Sequence, residues 1–197
     1  MNTYQTIETS SYGEFKDKGS RFLAYAYPVL TTEEIKQHLG SLKKEHFKAV
    51  HHCYAYRLGY DENQFRANDD GEPAGSAGRP ILGQIDSFQL TDIAVIVVRY
   101  FGGTLLGVPG LIHAYKTATA EALKKASIIT KNIEKTIHLE CAYEVLNTAL
   151  QIIRRHQGNI IHQDLQLSCR IQVRIPVSHY ENCRQQLLDT RAMTILE

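Results

Sequence analysis

The chain has 197 residues, of which 43% are hydrophobic and 22% charged, and its formal net charge is +1. This length allows one large domain or two small ones, and the near-zero charge excludes a strong overall attraction to nucleic acid or to a membrane surface. The first residues lack the regions of a signal peptide, and no apolar run approaches the ~18 residues of a membrane helix, so we expect a soluble, cytoplasmic protein.

The first part of the chain is predicted to contain three strands: Tyr4–Ser11, Ser20–Val29 and Val50–Gly59. A polar turn at Gly13–Gly19 separates the first two strands. Thr31 begins a helix, because Glu34 stands three residues later, which is the spacing of a capping box. Apolar residues form a core-facing stripe on that helix: Ile35, Leu39 and Leu42.

A long loop then leads to a short helix with Pro80 in its first turn, where the missing proline N–H costs nothing. The run IAVIVVRY at Ile93–Tyr100 has no polar residue before Arg99, which predicts a central strand buried on both faces. The glycine loop Gly102–Gly110 follows and leads into a helix over Leu111–Ala126. One edge of that helix carries small residues, which lets its backbone approach the sheet closely: Ala114, Ala118 and Ala122.

Beyond a linker or strand end at Ser127–Asn132 the pattern restarts. We predict strands and helices in the order βαββαβ: Glu134–Cys141, Glu144–Gln157, Gly158–Leu165, Leu167–Pro176, a helix that Ser178 caps and that ends near Thr190, and Ala192–Leu196. This is the order of the split-βαβ, ferredoxin-like arrangement. The predicted fold class is α+β, with two domains at residues 1–130 and 131–197.

The glycine loop is a candidate anion site. A helix amino terminus exposes unpaired N–H groups and a partial positive charge, and glycines before it let an anion reach the backbone. The candidate residues are the glycines and the nearby basic side chains: Gly102, Gly103, Gly107, Gly110, Arg99, His113 and Lys116. The loop matches neither the P-loop nor the dinucleotide-binding pattern, and Pro109 removes one donor, so tight packing of a glycine-rich turn is the alternative.

The acidic loop, Asp69–Glu72, holds the carboxylates of Asp69, Asp70 and Glu72. Carboxylates this close repel one another unless a cation, a basic side chain or N–H groups compensate. They are candidates for a Mg²⁺ site that bridges to a phosphate, or for a general base. In the structural alternative they bond turn amides or nearby arginines. Arg79 follows, where its guanidinium can bind carboxylate or phosphate.

Histidines and a cysteine come together at the predicted third strand: His46, His51, His52 and Cys53. On a strand His51 and His52 point to opposite faces, and the sequence has neither zinc spacing nor an HExxH motif, so no metal site is predicted. Cys53 is interpreted as a buried small hydrophobe, with a Cys–His dyad as the alternative. Nearby aromatic residues either belong to the core or offer a face on which bases stack: Tyr54, Tyr56, Tyr100 and Phe101.

Four segments together resemble the YigZ/IMPACT family. They are SRFLA (Ser20–Ala24), HHCYAYR (His51–Arg57), DDGEPAGSAGRPIL (Asp69–Leu82) and VVRYFGGTLLGVPGLIHAY (Val97–Tyr115), and they cover most of residues 16–126. The chain departs from the usual family motif at four residues: Asn68 for serine, Val108 and Pro109 for a small residue and glycine, and His113 for lysine or arginine. The changes at 108, 109 and 113 weaken the predicted anion site, because they remove one N–H donor and one permanent charge.

The resemblance implies a fold for each domain. The first is expected to be similar to domain 2 of ribosomal protein S5, with a left-handed βαβ crossover that is an exception to the usual handedness. The second is expected to be similar to domain V of elongation factor G. Eukaryotic relatives regulate translation by competing for the activator of a stress kinase, but they carry a different partner domain. For the bacterial type, the resemblance implies no established reaction.

The leading hypothesis is a non-enzymatic, translation-linked binding protein that recognises RNA, the ribosome or a translation factor. It uses no cofactor, and its binding residues are those of the acidic and glycine loops together with Arg79, Arg99, Tyr100, His113 and Lys116. One alternative is an enzyme acting on a phosphorylated or peptide substrate, with the acidic loop as Mg²⁺ site or base. The other is a protein-interaction scaffold. We expect neither membrane association nor sequence-specific DNA binding.

Overall fold

The structure is a computed structural model that describes residues 2–60, 64–166 and 168–196. The chain divides into two compact units, Tyr4–Lys131 and Asn132–Glu197, the latter joined by Met1–Thr3. Each unit combines strands with helices, so the predicted two-domain α+β fold is confirmed. Among the helices described, none has both the length and the hydropathy of a membrane-spanning segment.

The first unit is built on a five-stranded antiparallel sheet of order β2-β3-β6-β4-β5. Its strands are β2 (Ser11–Asp17), β3 (Ser20–Pro28), β4 (His51–Leu58), β5 (Gln64–Asn68) and β6 (Ile93–Tyr100). The strands β1 (Thr3–Ile7) and β7 (Ile128–Asn132) pair in a separate two-stranded sheet. Three helices complete the unit: α1 (Thr32–Glu45), α2 (Gly78–Ser87) and α3 (Gly107–Lys124).

The central strand β6 is buried on both faces, as its apolar run predicts. Its residues Val95 and Val97 pack in the core that α2 and α3 cover, whereas Ile96 and Val98 pack in a second cluster that includes Leu42 of α1. Helices therefore shield both faces of the sheet. The polar side chains that are not needed for packing lie at the strand ends and in the loops, where binding and catalytic residues are commonly found.

The small-residue edge of α3 lies directly against β2, as predicted. A Cβ added to Gly13 would lie 2.3 Å from the backbone nitrogen of Ala122 and 2.8 Å from the carbonyl oxygen of Ala118. Only a glycine at this position allows so close an approach of helix and strand backbones.

The capped start of α1 is also confirmed. The Thr31 Oγ1 accepts a hydrogen bond from the Glu34 N–H (3.3 Å), and the Glu34 carboxylate accepts from the Leu30 N–H (2.7 Å). In a standard capping box the glutamate would accept from the N–H of the cap residue Thr31, whereas here Glu34 accepts from Leu30, one residue earlier.

Three of the predicted elements are wrong in the first unit. Strand β2 occupies Ser11–Asp17, where we predict the polar turn Gly13–Gly19, because the polar residues of an edge strand face solvent. Strand β5, also at an edge, lies in the segment predicted as a long loop. Helix α3 begins at Gly107 rather than Leu111, because a proline in the first helical turn gives up an N–H that has no partner within the helix.

The second unit is a four-stranded antiparallel sheet with helices on one face. Its elements are β8 (Glu134–Cys141), α4 (Leu146–Arg155) after a 3₁₀ turn at Tyr143–Val145, β9 (Asn159–Leu165), β10 (Cys169–Pro176), α5 (Val177–Leu188) and β11 (Met193–Leu196). The strand order β11-β8-β10-β9 is that of the ferredoxin-like fold. Helix α5 starts one residue before Ser178, so Ser178 does not cap it as we predict.

Candidate functional site

The acidic loop and the connection between β6 and α3 border one pocket of about 460 Å³ in the first unit. We call this cavity the loop pocket, and the connection at residues 101–106 the β6–α3 loop. Glu72 contributes from the acidic loop, and Phe101, Leu105 and Leu106 from the β6–α3 loop. Two loops that are remote in sequence thus meet at one end of the sheet.

A buried ion pair lies in the wall of this pocket. The Arg99 Nη1 donates to the Glu72 Oε1 at 2.6 Å, and both side chains are almost completely buried. The Tyr115 hydroxyl donates to the same carboxylate oxygen at 2.7 Å. The Arg99 guanidinium also lies over the Phe22 and Phe101 rings, at 5.5 and 5.8 Å from their centroids. The charges of Glu72 and Arg99 therefore neutralise each other inside a mainly apolar surface.

His51 completes the polar part of the pocket, because strand register places it opposite Arg99 in the β4–β6 pair. Its Nδ1 lies 2.7 Å from the Asp70 carbonyl oxygen, which only accepts hydrogen bonds, so Nδ1 carries the hydrogen. The Nε2 of His51 is 3.9 Å from the Glu72 Oε2. This nitrogen is an acceptor in the neutral ring and a second donor in the protonated ring.

Behind the ion pair, Cys53 and Tyr115 are buried side by side. The Cys53 Sγ lies 3.0 Å from the Asp69 carbonyl oxygen and 3.2 Å from the Tyr115 hydroxyl oxygen, and its single S–H donates to one of these two acceptors. Burial raises the pKa of the Cys53 thiol far above its usual value, and burial likewise raises the pKa of the Tyr115 hydroxyl. A thiol held protonated is a poor nucleophile, so this geometry does not favour the Cys–His dyad.

Asp69 has a structural role. Its carboxylate accepts three backbone N–H bonds, from Gly75 (2.9 Å), Ala77 (3.0 Å) and Gly78 (2.8 Å), at the start of α2. Burial alone would raise the pKa of Asp69, but these three donors outweigh burial and hold that pKa below its usual value. Asp69 thus caps α2 from a distance in sequence.

Asp70 also bonds within the protein. Its Oδ2 accepts from the His52 N–H at 2.7 Å, and its Oδ1 lies 3.7 Å from the Lys43 ammonium. The Asp70 N–H in turn donates to the Asn68 Oδ1 at 2.9 Å, which gives a role to one departure from the family motif. Within residues 2–60, 64–166 and 168–196, no three acidic, histidine or cysteine side chains are grouped to hold a metal ion.

Replacing Asp69 tests its capping role. We expect Asp69→Asn to lower the free energy of unfolding by about 1–3 kcal/mol at neutral pH, because one amide cannot accept all three N–H bonds. The pKa of Asp69 is lower folded than unfolded, so its stabilisation is complete above about pH 5 and is lost as the pH falls through the folded pKa. Urea unfolding of both proteins across the acid range measures the difference in the free energy of unfolding between the unmodified protein and Asp69→Asn, which should shrink as the pH falls. Asp17→Asn, next to the β2–β3 turn, is the control. A stability difference between the unmodified protein and Asp69→Asn that stays constant in acid would contradict the capping role of Asp69.

Nine of the twelve predicted site residues do not line the loop pocket, among them the basic and aromatic side chains of Arg79, Tyr100, His113 and Lys116. Arg79 is exposed at the start of α2, and Lys116 is exposed on α3. The Tyr100 hydroxyl bonds the His46 Nδ1 at 3.0 Å, in the cluster on the α1 side of the sheet. His113 is exposed and meets the Phe15 ring edge-on, with centroids 5.5 Å apart. The arginines and the helix residues that we grouped in the sequence are therefore spread over several surfaces.

The four glycines have separate roles. A Cβ on Gly102 would lie 1.9 Å from the carbonyl carbon of Gly19, so Gly102 packs against the β2–β3 turn. Gly103 and Gly107 have φ of +87° and +70°, which are left-handed values that favour glycine. Gly110 lies within α3, where an added Cβ would be 3.0 Å from the Leu106 Cβ. Of these, Gly107 lines the pocket.

Sequence reasoning misses the apolar part of the site. Val50, Leu105 and Val108 line the loop pocket although their side chains are exposed. The Leu-Leu pair inside a glycine-rich loop was the available signal. Of the two leucines, Leu106 packs against the core, whereas Leu105 is exposed. Val108 is one of the departures from the family motif, and it contributes apolar surface where a small residue is usual.

Comparison with known proteins places the chain in a family. The Impact N-terminal domain matches residues 18–123. An IMPACT family member of Haemophilus influenzae is 36% identical over 174 residues, covering 87% of this chain and 84% of its own, and the IMPACT family member YigZ of Escherichia coli is 34% identical, covering 87% and 85%. A crystal structure of a hypothetical protein aligns with 100% of this chain and 97% of its own, at 30% identity and a TM-score of 0.80. The chain therefore belongs to the IMPACT family, alongside YigZ.

Proposed function

We propose that this protein is a non-enzymatic regulator linked to translation, and that it acts by binding a protein component of the translation apparatus at the loop pocket. Membership of the IMPACT family supports the link to translation, because the family resemblance described above implies that role for relatives of the eukaryotic type. The geometry of the pocket supports a protein partner over RNA. The ribosome or a translation factor would supply that partner.

One observation carries the proposal. Four large apolar side chains on the pocket, Val50, Phe101, Leu105 and Val108, are between 45% and 83% exposed. Scattered exposed apolar residues are ordinary, but several that converge on one concave site are typical of an interaction surface. Leu105 is the most exposed of the four and stands on a loop flanked by glycines, which suits it to anchor a partner.

The charges around the pocket do not favour phosphate. Arg99 is neutralised by Glu72 and Lys43 lies beside Asp70, whereas binding an RNA backbone requires cations that are free to replace counterions. The enzyme hypothesis gains no support either, since Asp69 and Asp70 bond backbone amides and burial raises the pKa of Cys53.

The test is co-sedimentation of the full chain with ribosomes, free subunits and purified translation factors. We expect Leu105→Asp to weaken binding at least about tenfold, because a charge replaces an apolar anchor. Leu30→Asp is the matched control, since Leu30 is an exposed leucine of the same unit that does not line the pocket.

A salt series decides between protein and RNA contact. Apolar contact predicts little change in affinity between about 50 and 200 mM salt, whereas several phosphate contacts predict a fall of roughly a thousandfold or more. Steep salt dependence together with an unimpaired Leu105→Asp variant would reject the loop pocket as the binding surface.

A further inference from the structure

We infer that the loop pocket recognises an uncharged, extended peptide segment of its partner. A bulky apolar side chain of that segment fills the pocket, and the adjoining peptide unit hydrogen-bonds to Arg99 and Glu72. This inference rests on the proposed function, because it names the chemistry of the partner at the same site.

The first support is a buried donor without an acceptor. Arg99 is only 6% exposed and lines the pocket, yet its Nε–H has no hydrogen-bond partner among the described residues. Buried N–H groups in native proteins almost always have partners, and leaving one unpaired costs free energy. The Nη1 of the same guanidinium is already engaged by Glu72. A hydrogen-bond acceptor on a bound ligand would give the Arg99 Nε–H the partner that it lacks.

The second support is the neutrality of the ion pair. A ligand carboxylate or phosphate at Arg99 would lie beside the Glu72 carboxylate, which carries the same sign of charge and is itself buried. A carbonyl oxygen accepts a hydrogen bond without bringing a charge. The electrostatics of the pocket therefore match a neutral acceptor better than an anion.

The third support is the spare capacity of Glu72. Its Oε1 accepts from both Arg99 and Tyr115, while among the residues that the structure describes its Oε2 has only the more distant Nε2 of His51, at 3.9 Å. The pocket thus offers one donor, at Arg99, and one acceptor, at Glu72. A peptide unit carries one acceptor and one donor, so it is complementary to this pair.

The apolar walls select the side chain. The cavity of about 460 Å³ lies between Phe101, Leu105 and Val108, which present no hydrogen-bonding side-chain groups. A leucine, methionine or phenylalanine of the partner would be desolvated there, as in other grooves that bind peptides through alternating anchors and main-chain bonds. Among the described residues that line the pocket, Arg99 is already paired with Glu72, so the phosphates of a nucleotide would have no free arginine or lysine to bind there.

The experiment begins with a random peptide library displayed on phage and selected on the full chain, with counter-selection on Leu105→Asp. Enriched peptides are synthesised with acetylated and amidated ends, and their affinity is measured by fluorescence polarisation. We expect the enriched sequences to share a bulky apolar residue and to bear little charge. Their affinity should fall about tenfold in Leu105→Asp, remain unchanged in Leu30→Asp and vary little with salt.

Glu72→Gln separates peptide recognition from simple hydrophobic contact. The glutamine amide retains one oxygen to accept from Arg99 and Tyr115, but it places a donor where the peptide N–H needs an acceptor. We expect this variant to weaken the blocked peptides about tenfold. Amide NMR spectra of Glu72→Gln check that its first unit is folded. If that unit is unfolded, the Leu105→Asp variant provides the test of the same site.

Several outcomes would overturn the inference. These are a library that yields no enriched sequence, enriched sequences that are acidic and bind in a salt-dependent manner, and displacement of the peptides by oligouridylate. If ribosome or factor binding still depends on Leu105 while no peptide is enriched, the inference falls and the proposed function stands. If neither binding is found, both fall.

Discussion

Glu72→Ala is expected to lower the free energy of unfolding of the first unit by about 3–5 kcal/mol, because it leaves the Arg99 guanidinium buried without a counter-charge. The same change also deprives the Tyr115 hydroxyl of its acceptor. Urea unfolding of the full chain measures the loss, and hydrogen exchange of the amides in β6 and α3 assigns it to the first unit. A loss below about 1 kcal/mol would mean that water or a rearranged loop already compensates Arg99.

Two further variants turn this result into a test of mechanism. The double variant Glu72→Ala/Arg99→Met removes both charges and is expected to recover part of the stability, since an apolar replacement of a buried pair is often nearly neutral. Glu121→Ala breaks an exposed pair on α3, whose Nζ–Oε1 distance to Lys124 is 2.8 Å. That exposed pair is screened by solvent, so Glu121→Ala is expected to leave the unfolding transition nearly unchanged.

Gly102→Ala is expected to destabilise the first unit by about 3 kcal/mol or more, because overpacking against backbone cannot be relieved by a rotamer change. The added Cβ would lie 1.9 Å from the Gly19 carbonyl carbon and 2.1 Å from the Ser20 nitrogen. The β6–α3 loop or the β2–β3 turn would have to move. Thermal unfolding followed by circular dichroism measures the loss of stability. Because the β6–α3 loop borders the loop pocket, Gly102→Ala is also expected to weaken partner binding.

The control for this prediction is another glycine-to-alanine change. Gly83 lies inside α2, and a Cβ added there meets nothing within 4 Å. Gly83→Ala is therefore expected to stabilise the protein by about 0.5–1 kcal/mol, since alanine favours the helix. Equal effects from the two substitutions would show that close packing against the β2–β3 turn does not determine the cost of replacing Gly102.

Elements with a strong periodic signal could be predicted from the sequence. The apolar run of β6 and the capped, amphipathic α1 lie where their residues indicate. The ferredoxin-like order of the second unit was also readable, because the two central strands β8 and β10 alternate between apolar and polar residues. Strands β2 and β5 could not be predicted in the same way. Both are edge strands in which polar residues interrupt the apolar pattern, β5 mostly exposed and β2 half-buried, so neither shows a clear periodic signal.

The candidate site was predicted in part. The acidic and glycine-rich segments were identified, but that they meet depends on the register that sets His51 opposite Arg99. The interpretation of Arg99 depends on the same long-range geometry, because its partner Glu72 comes from a loop 27 residues earlier in the chain. A single sequence cannot show that a cation is already neutralised. That is why an anion site stood among the sequence hypotheses for a region where the structure has an apolar pocket.

The pairing of β1 with β7 has a consequence for how such proteins diversify. The chain enters and leaves the first unit along two paired strands, so the two ends of that unit lie side by side. A module with adjacent ends can be spliced into, or out of, a longer polypeptide at one point without stretching the host chain. Recombination can therefore join the first unit to different neighbouring domains without changing the structure of its pocket.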